Sequence, residues 1–399
     1  MERLGLLPFR PGAVPPRAHR AAALAGAFLL SAVWALLPVM TQARAQPAAP
    51  PVLRPVGSLR LAGAADGVFA GGGRLLWLVA AGPAGLEAAS RSPASGWRWA
   101  PRLVWPPAMK ASGLRVEATT ALVDRSGRLH VLLTTAPATP AGDALDLAAR
   151  TTWYAELAGG RWLGPERVGE GPFLSLGLRP GTGGKAEPVV TLASGFDAQG
   201  ALVERSLLRT GAGWQPAAAL PVARPPLALG WSHLWDAAPV PGTRDWVELV
   251  SREGQRFLEV VKVAPDGRPL ADLGRIPPPV ATDAPVFHLL GGGPRWYVVY
   301  RNTVGRLVPG DPATFRWSEE LRIYAEPSRP AAGRPWPEVA AFGTDRTPLA
   351  GLRLVAGGTR AVTAAADGRL FLLWRLAPAT GTAAEELWLT ELAPAGPGR

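Results

Sequence analysis

Cysteine is absent from all 399 residues, so this chain has no disulfide, no thiolate nucleophile and no thiolate-bound metal. Histidine is scarce: of four, His19 lies in an N-terminal segment that reads as an export signal, and His130, His233 and His288 stand 103 and 55 residues apart. No HExxH run or acid-flanked His pair occurs, so neither a metal nor a cofactor is expected. The chain also lacks a G-x-S-x-G elbow and a P-loop. Gly71-Gly72-Gly73 and Gly291-Gly292-Gly293 lead into strand-like runs, whereas phosphate loops open helices. No acidic loop of EF-hand or nonapeptide type is present, which leaves calcium without a site. Lysine occurs only at positions 110, 185 and 262, so almost every base is Arg. These bases stand singly along the sequence, without the basic-aromatic stripes of a nucleic-acid binder, and no nucleic-acid partner is expected.

What the chain has in quantity is Gly (47) and Pro (43), together with 16 Trp. So many Pro, each with a fixed φ and no backbone donor, restrict the chain to turns, edge strands and linkers and argue against long helices. One long apolar run exists, Ala21–Met40, preceded by Arg3, Arg10, Arg17 and Arg20 and followed by Ala43-Arg44-Ala45. A basic region, an apolar stretch and a small-x-small site in that order read as a signal peptide over 1–45, cleaved before Gln46. The alternative is a retained anchor, because 20 apolar residues just span a bilayer. The expected location is therefore periplasmic or extracellular. Residues 46–56 (QPAAPPVLRPV) read as a flexible tether, 57–395 as the folded domain and 396–399 as a tail. The signal carries five Arg and one Glu, so 37 bases and 30 acids remain, a net charge of +7.

From Val56 onward short β-rich runs alternate with turn clusters. RLLWLVA (74–80), RLHVLLT (128–134), RFLEVVKV (256–263), RWYVVY (295–300) and RLFLLWRL (369–376) have the length and the Val, Leu, Trp and Tyr content of strands. Asp-Gly turns join several of them, and LVDRSGRLHVLL (122–133) matches TAAADGRLFLLW (363–374) as an internal repeat. A Trp-marked phrase also recurs, at Gly96–Trp99, Gly159–Trp162, Gly211–Trp214 and Thr314–Trp317. From Trp99 the later Trp lie 63, 115 and 218 residues on, so the spacing from Trp214 to Trp317 is about twice that from Trp162 to Trp214. A period near 50 residues built from short strands predicts an all-β chain folded as a β-propeller of four-stranded antiparallel sheets. Six blades are expected, over about 57–107, 115–172, 173–226, 227–282, 283–335 and 336–395, with seven as the alternative count. Pairing of Leu59–Leu61 with Glu386–Leu392 would close the ring and remove its edges. Two β-sandwiches are the competing architecture, but they would lack the recurring Trp phrase.

Ser92-Pro93-Ala94-Ser95-Gly96-Trp97-Arg98-Trp99 resembles the Asp-box (Ser-x-Asp-x-Gly-x-Thr-Trp) of the sialidase and BNR-repeat propellers. Ser92, Gly96 and Trp99 match; Ala94 replaces the Asp and Arg98 the Thr. The motif marks a hairpin turn, so the resemblance implies a fold and not an activity. Sialidases also carry an Arg-Ile-Pro motif near the start of the catalytic domain, and Arg275-Ile276-Pro277 stands mid-chain here. Sialidase chemistry would further require a Tyr nucleophile beside a Glu and a separate Asp. Tyr154 with Glu156 and Tyr324 with Glu326 have the i, i+2 spacing that shares a strand face.

No catalytic constellation stands out from these residues. The leading expectation is an exported, non-catalytic binding or scaffold propeller with a protein or carbohydrate ligand on one face or its outer loops. A divergent sialidase-like hydrolase of acidic sugars is the alternative. Trp231 and Trp235 (WSHLW, after Pro225-Pro226) are the candidate ligand-binding residues, since exposed indole faces stack on sugars; filling the wedge between blades is the competing role.

Overall fold

The computed structural model describes residues 52–394 except 73–74, 108, 110–113, 138–146, 182–184, 221–223, 256, 278–285, 292, 294, 309–310, 344–358 and 377–385. All of these belong to one unit, 49–399. The expected signal (1–45), the start of the tether and the tail lie outside the described residues.

Among the described residues, twenty-five strands form six antiparallel sheets. Blade 1 contains β2 (Asp66–Gly72), β3 (Leu75–Gly82), β4 (Gly85–Ser92) and β5 (Ser95–Trp99), with the two-residue β6 (Leu103–Val104) added on β4. Blade 2 has β7 (Leu114–Val123), β8 (Leu129–Pro137), β9 (Thr151–Ala158) and β10 (Arg161–Glu170). Blade 3 has β11 (Phe173–Pro180), β12 (Ala186–Phe196), β13 (Leu202–Thr210) and β14 (Gly213–Pro216). Blade 4 comprises β15 (His233–Pro239), β16 (Trp246–Ser251), β17 (Leu258–Val263) and β18 (Pro269–Ile276). Blade 5 comprises β19 (Val286–Leu290), β20 (Tyr297–Val308), β21 (Asp311–Ala325) and β22 (Glu338–Gly343). Blade 6 takes β23 (Thr359–Ala364), β24 (Leu370–Leu376) and β25 (Glu386–Pro394) from the end of the chain and its fourth strand, β1 (Leu53–Leu61), from the beginning.

That exchange closes the ring. Leu59 stands opposite Leu389 and Leu61 opposite Leu387, the pairing the sequence predicts. Four residues of the expected tether, 53–56, are therefore strand. Leu53 is buried, and its burial against Leu392 and Trp374 supplies the reason. The expected blade boundaries shift with it: β1 leaves the first unit for the last, and blade 5 runs on to Gly343. The first strands of neighbouring blades pack on one another at five junctions, which puts them nearest the axis. Each first strand runs from one face, where the inter-blade connections arrive, to the other, where its hairpin turns back.

Apolar side chains fill the wedges between blades. Separate clusters join blades 1 and 2 (Val79, Leu86, Leu129, Leu133), 2 and 3 (Leu132, Tyr154, Val190, Leu192), 4 and 5 (Leu249, Val260, Phe287, Tyr300), 5 and 6 (Val299, Ile323, Leu372, Trp374) and 6 and 1 (Leu78, Phe371, Leu387). No cluster spans blades 3 and 4 among the described residues. There the connection itself enters the wedge: Ala228 and Trp231 pack on Val250, Val261 and Val263 of blade 4.

The matched repeats occupy equivalent places, the first hairpins β7–β8 and β23–β24. Gly127 (φ +81°) and Gly368 (φ +78°) sit in the left-handed conformation that the turn requires, and Asp124 and Asp367 accept backbone N–H groups of the same turns. The equivalence extends outward. Arg128 lies 3.4 Å from Glu156 on β9, which also accepts a hydrogen bond from Arg209 of β13 in the next blade (3.1 Å). Arg369 pairs with Glu391 on β25, and Arg91 of β4 in the next blade reaches the same carboxylate at 3.8 Å and Asp367 at 2.9 Å. In each case the incoming guanidinium also stacks on an aromatic ring at 4.8 Å, Arg209 on Tyr154 and Arg91 on Phe371. An Arg–Glu–Arg ladder thus ties blade 2 to blade 3 and blade 6 to blade 1.

The Trp phrase falls on the fourth strands of blades 1, 2 and 3, whereas Trp317 belongs to the third strand of blade 5. In the Asp-box-like phrase, Ser92 and Ser95 face one another across the β4–β5 turn with their hydroxyls 2.9 Å apart.

Removing Arg209, which is shared between Glu156 (3.1 Å) and Glu166 (2.7 Å), leaves Glu156 paired with Arg128 alone at 3.4 Å, a loss of about 1–2 kcal/mol for partly exposed charges. Arg209→Met is expected to lower unfolding stability by that order, and adding Glu156→Gln is expected to restore most of it. Urea denaturation of the two variants measures the difference.

Candidate functional site

The face on which the first strands begin carries a cleft of about 700 Å3. It lies over blades 6, 1 and 2, between the β1–β2 connection, Pro83 at the β3–β4 turn, and the start of β7. Its charged groups are Arg60, Arg115, Glu117 and Glu386. Glu117 accepts hydrogen bonds from Arg115 (2.8 Å) and from Arg150 (2.7 Å). Burial pushes its carboxyl up, but the two guanidiniums outweigh this and hold it below the ordinary carboxylate range. Arg60 and Glu386 pair at 2.5 Å, and the Arg102–Glu87 pair lies beside the cleft. The Arg60 and Arg115 side chains remain more than half exposed, so their free N–H groups point to solvent.

A carboxylate acting as general acid needs a pKa near the working pH, and Glu117 is shifted the opposite way. A covalent sialidase-type mechanism needs an accessible Tyr. Tyr154, Tyr297, Tyr300 and Tyr324 are all at most 5% exposed and belong to the inter-blade clusters. The i, i+2 geometry does bring Tyr154 onto Glu156 (3.3 Å), and His130 Nδ1 lies 2.6 Å from the phenol oxygen. The site is sealed, however. Burial, then Glu156, push the phenol far above its ordinary value, and burial pushes His130 down. Both stay neutral at physiological pH. Tyr324 is likewise raised by burial, and Glu326 accepts the Trp296 backbone N–H (3.2 Å). Arg275 and Ile276 end β18, the outermost strand of blade 4; the guanidinium lies over Phe257 and Ile276 is buried. No residue of the Arg-Ile-Pro motif lines the cleft.

Trp231 and Trp235 lie on blade 4 and do not line the cleft. Trp231 is half-buried: Arg252 stands 4.7 Å over its ring, its Nε1 donates to Glu259 (2.9 Å), and it packs against the blade 4 cluster. Trp235, on β15, is 41% exposed; it donates to Ser251 (2.9 Å) and meets the Phe287 ring edge-on. The cleft residues escape a sequence reading because Arg60, Glu117 and Glu386 lie in three unrelated stretches with no shared motif.

Glu248 gave no signal in the sequence. It is fully buried on β16 beneath the connection from blade 3, and the Ala228 N–H donates to its Oε2 (3.0 Å). Burial pushes its carboxyl up to about 7 despite that hydrogen bond.

These contacts define the molecule as a six-bladed β-propeller with a charge-paired cleft at one mouth. No family model matches the chain and no curated protein matches it. Solved structures similar in fold are sialidases and propeller glycoside hydrolases. Trypanosoma rangeli sialidase in complex with sialic acid matches at 11% identity and a TM-score of 0.37, over 86% of this chain and 59% of that one. The GH43_1 enzyme from Xanthomonas citri matches at 12% identity and a TM-score of 0.30, over 76% of this chain and 98% of that one. The chain thus spans less than two thirds of the sialidase. At such TM-scores these likenesses carry no argument about activity, and the propeller assignment rests on the sheets and their closure.

Two stability measurements follow. A carboxyl raised from its ordinary value near 4.5 to about 7 favours the folded state fully below pH 4.5 and progressively less as pH rises through 7. Glu248→Gln is therefore expected to match the wild type at pH 4 and to exceed it at pH 8 by roughly 2–3 kcal/mol in urea titrations. In thermal unfolding, Trp231→Ala is expected to lose about 2 kcal/mol through lost packing, and Trp235→Ala clearly less.

Proposed function

We propose that the protein is a non-catalytic, exported binding propeller whose ligand is an acidic carbohydrate held in the cleft over blades 6, 1 and 2. The observation that carries this reading is the division of polar groups: every tyrosine is buried in the blade wedges, while the cleft's Glu117 is ion-paired and kept ionised. Such a cleft has donors for a carboxylate and hydroxyls but no group poised to move a proton. Arg60 and Arg115, with free N–H groups beside their ion pairs, are the anchors of this reading. Trp235, with its exposed indole on blade 4, is a separate stacking surface outside the cleft. Export rests on the Arg-flanked apolar run and the Ala43–Ala45 site.

A glycan array of acidic and neutral oligosaccharides, together with hydrolysis assays on fluorogenic sialosides and xylosides, tests the proposal. The expected result is binding to acidic glycans, about tenfold or more weaker in Arg60→Ala and Arg115→Ala, with no turnover of either substrate. Turnover of a sialoside that these variants abolish would replace the binding reading with the hydrolase one.

A further inference from the structure

The opposite face of the propeller, onto which the first hairpins open, has a different electrostatic character. Blade 2 places Arg125 and Arg128 in its hairpin, blade 3 Lys185, blade 4 Arg244, blade 5 Arg295 and blade 6 Arg369. In the sequence these bases stand alone, each just ahead of a second strand. The fold gathers them around the axis at one end. The acids of the same hairpins are already engaged. Asp124 accepts from its own turn, Asp245 pairs with Lys262 (2.9 Å), Asp367 with Arg91 (2.9 Å), and Glu187 with Arg179 (2.9 Å). Arg125, Lys185 and Arg244 are exposed and have no acidic partner among the described residues. Between the hairpins of blades 2 and 3 a groove of about 380 Å3 is lined by Arg125, Arg179 and Lys185 over Leu178 and Pro180. Arg128 and Arg369 are ion-paired with Glu156 and Glu391, so the unpaired bases of these hairpins are Arg125, Lys185 and Arg244. On the cleft face Arg60, Arg102 and Arg115 each meet a carboxylate, while Arg205 and Arg252 are exposed and meet none among the described residues.

A second, independent feature marks the same face. As a fourth strand, β1 runs from the hairpin face toward the cleft face, so the chain enters the propeller at Leu53 on the basic side. Twelve residues lie between Met40, the end of the 20-residue apolar run, and Leu53, a reach of at most about 45 Å. The segment that precedes β1 therefore joins the propeller on its basic side.

We propose that the hairpin face docks the protein on an anionic phospholipid surface, with Arg125, Lys185 and Arg244 as its principal contacts. Each base near such a surface is attracted by the negative potential of the headgroups, and the attraction dies away within a Debye length. The cleft on the other face is then held away from the membrane, open to soluble ligand. The lipid contact is independent of what the cleft binds.

The test uses residues 46–399, which contain every strand and the ring-closing β1. Co-sedimentation is measured with vesicles of 70% phosphatidylcholine and 30% phosphatidylglycerol, and with phosphatidylcholine alone. Binding is expected to the anionic vesicles only and to fall steeply between 50 and 300 mM salt, vesicle compositions and salt being on the order of those that separate electrostatic from apolar docking. Replacing Arg125, Lys185 and Arg244 together with Ala is expected to weaken it about a hundredfold. The same charge removed from the opposite end (Arg102, Arg167 and Arg205 to Ala) is expected to change it less than about threefold. Circular dichroism and melting curves confirm that both triple variants fold. Equal losses in the two variants, no preference for anionic lipid, or capture of soluble polygalacturonate with no vesicle binding would each overturn the proposal.

Discussion

Pairing of β1 with β25 joins the two ends of the propeller in a single sheet, and the other five blades rely on that closure. An open ring would leave two long strand edges in water and expose one apolar wall of blade 1 and one of blade 6. With the edge sealed, Leu61, Leu387, Leu389 and Phe371 form a wedge equivalent to those inside the ring. A chain without cysteine has no covalent means of holding its ends together, so a register of eight paired residues does so. The Arg–Glu–Arg ladders add direction to this packing. They stand at the blade 2–3 and blade 6–1 junctions, where an incoming guanidinium meets both a carboxylate and an aromatic face.

The junction between blades 3 and 4 is built differently. No apolar cluster bridges it among the described residues; the connection carrying Ala228 and Trp231 covers blade 4 and buries Glu248 beneath it. A single backbone donor faces that carboxyl, so desolvation dominates and the group titrates near neutrality.

The two faces differ in the charges they carry. The four tyrosines fill the wedges between blades. One mouth has ion-paired charges suited to recognition, and the other has unpaired bases suited to a negatively charged surface. Both faces carry ion pairs, but on the hairpin face Arg125, Lys185 and Arg244 are left without an acidic partner among the described residues.

Strand content, the turn chemistry of Asp124–Gly127 and Asp367–Gly368, the blade count and the closing pair were legible in the sequence. They depend on local composition and on a period that a repeated sheet must keep. β11, β15 and β19 were not legible. FLSLGLRP, HLWDAAP and VFHLL are short and mix Gly, Pro, His and Asp with apolar residues, so they lack the β-branched and aromatic richness of the strands the sequence announces. The Tyr154–Glu156 contact was legible as an i, i+2 pair, but its burial was not, since the neighbouring blade supplies the cover. The sequence by itself determined an all-β ring with no metal-binding motif. Only the tertiary structure decided which charges meet. Arg60, Glu117 and Glu386 come together across more than 300 residues, and bases scattered along five blades converge on one face, because ring closure sets neighbours by blade and not by chain order.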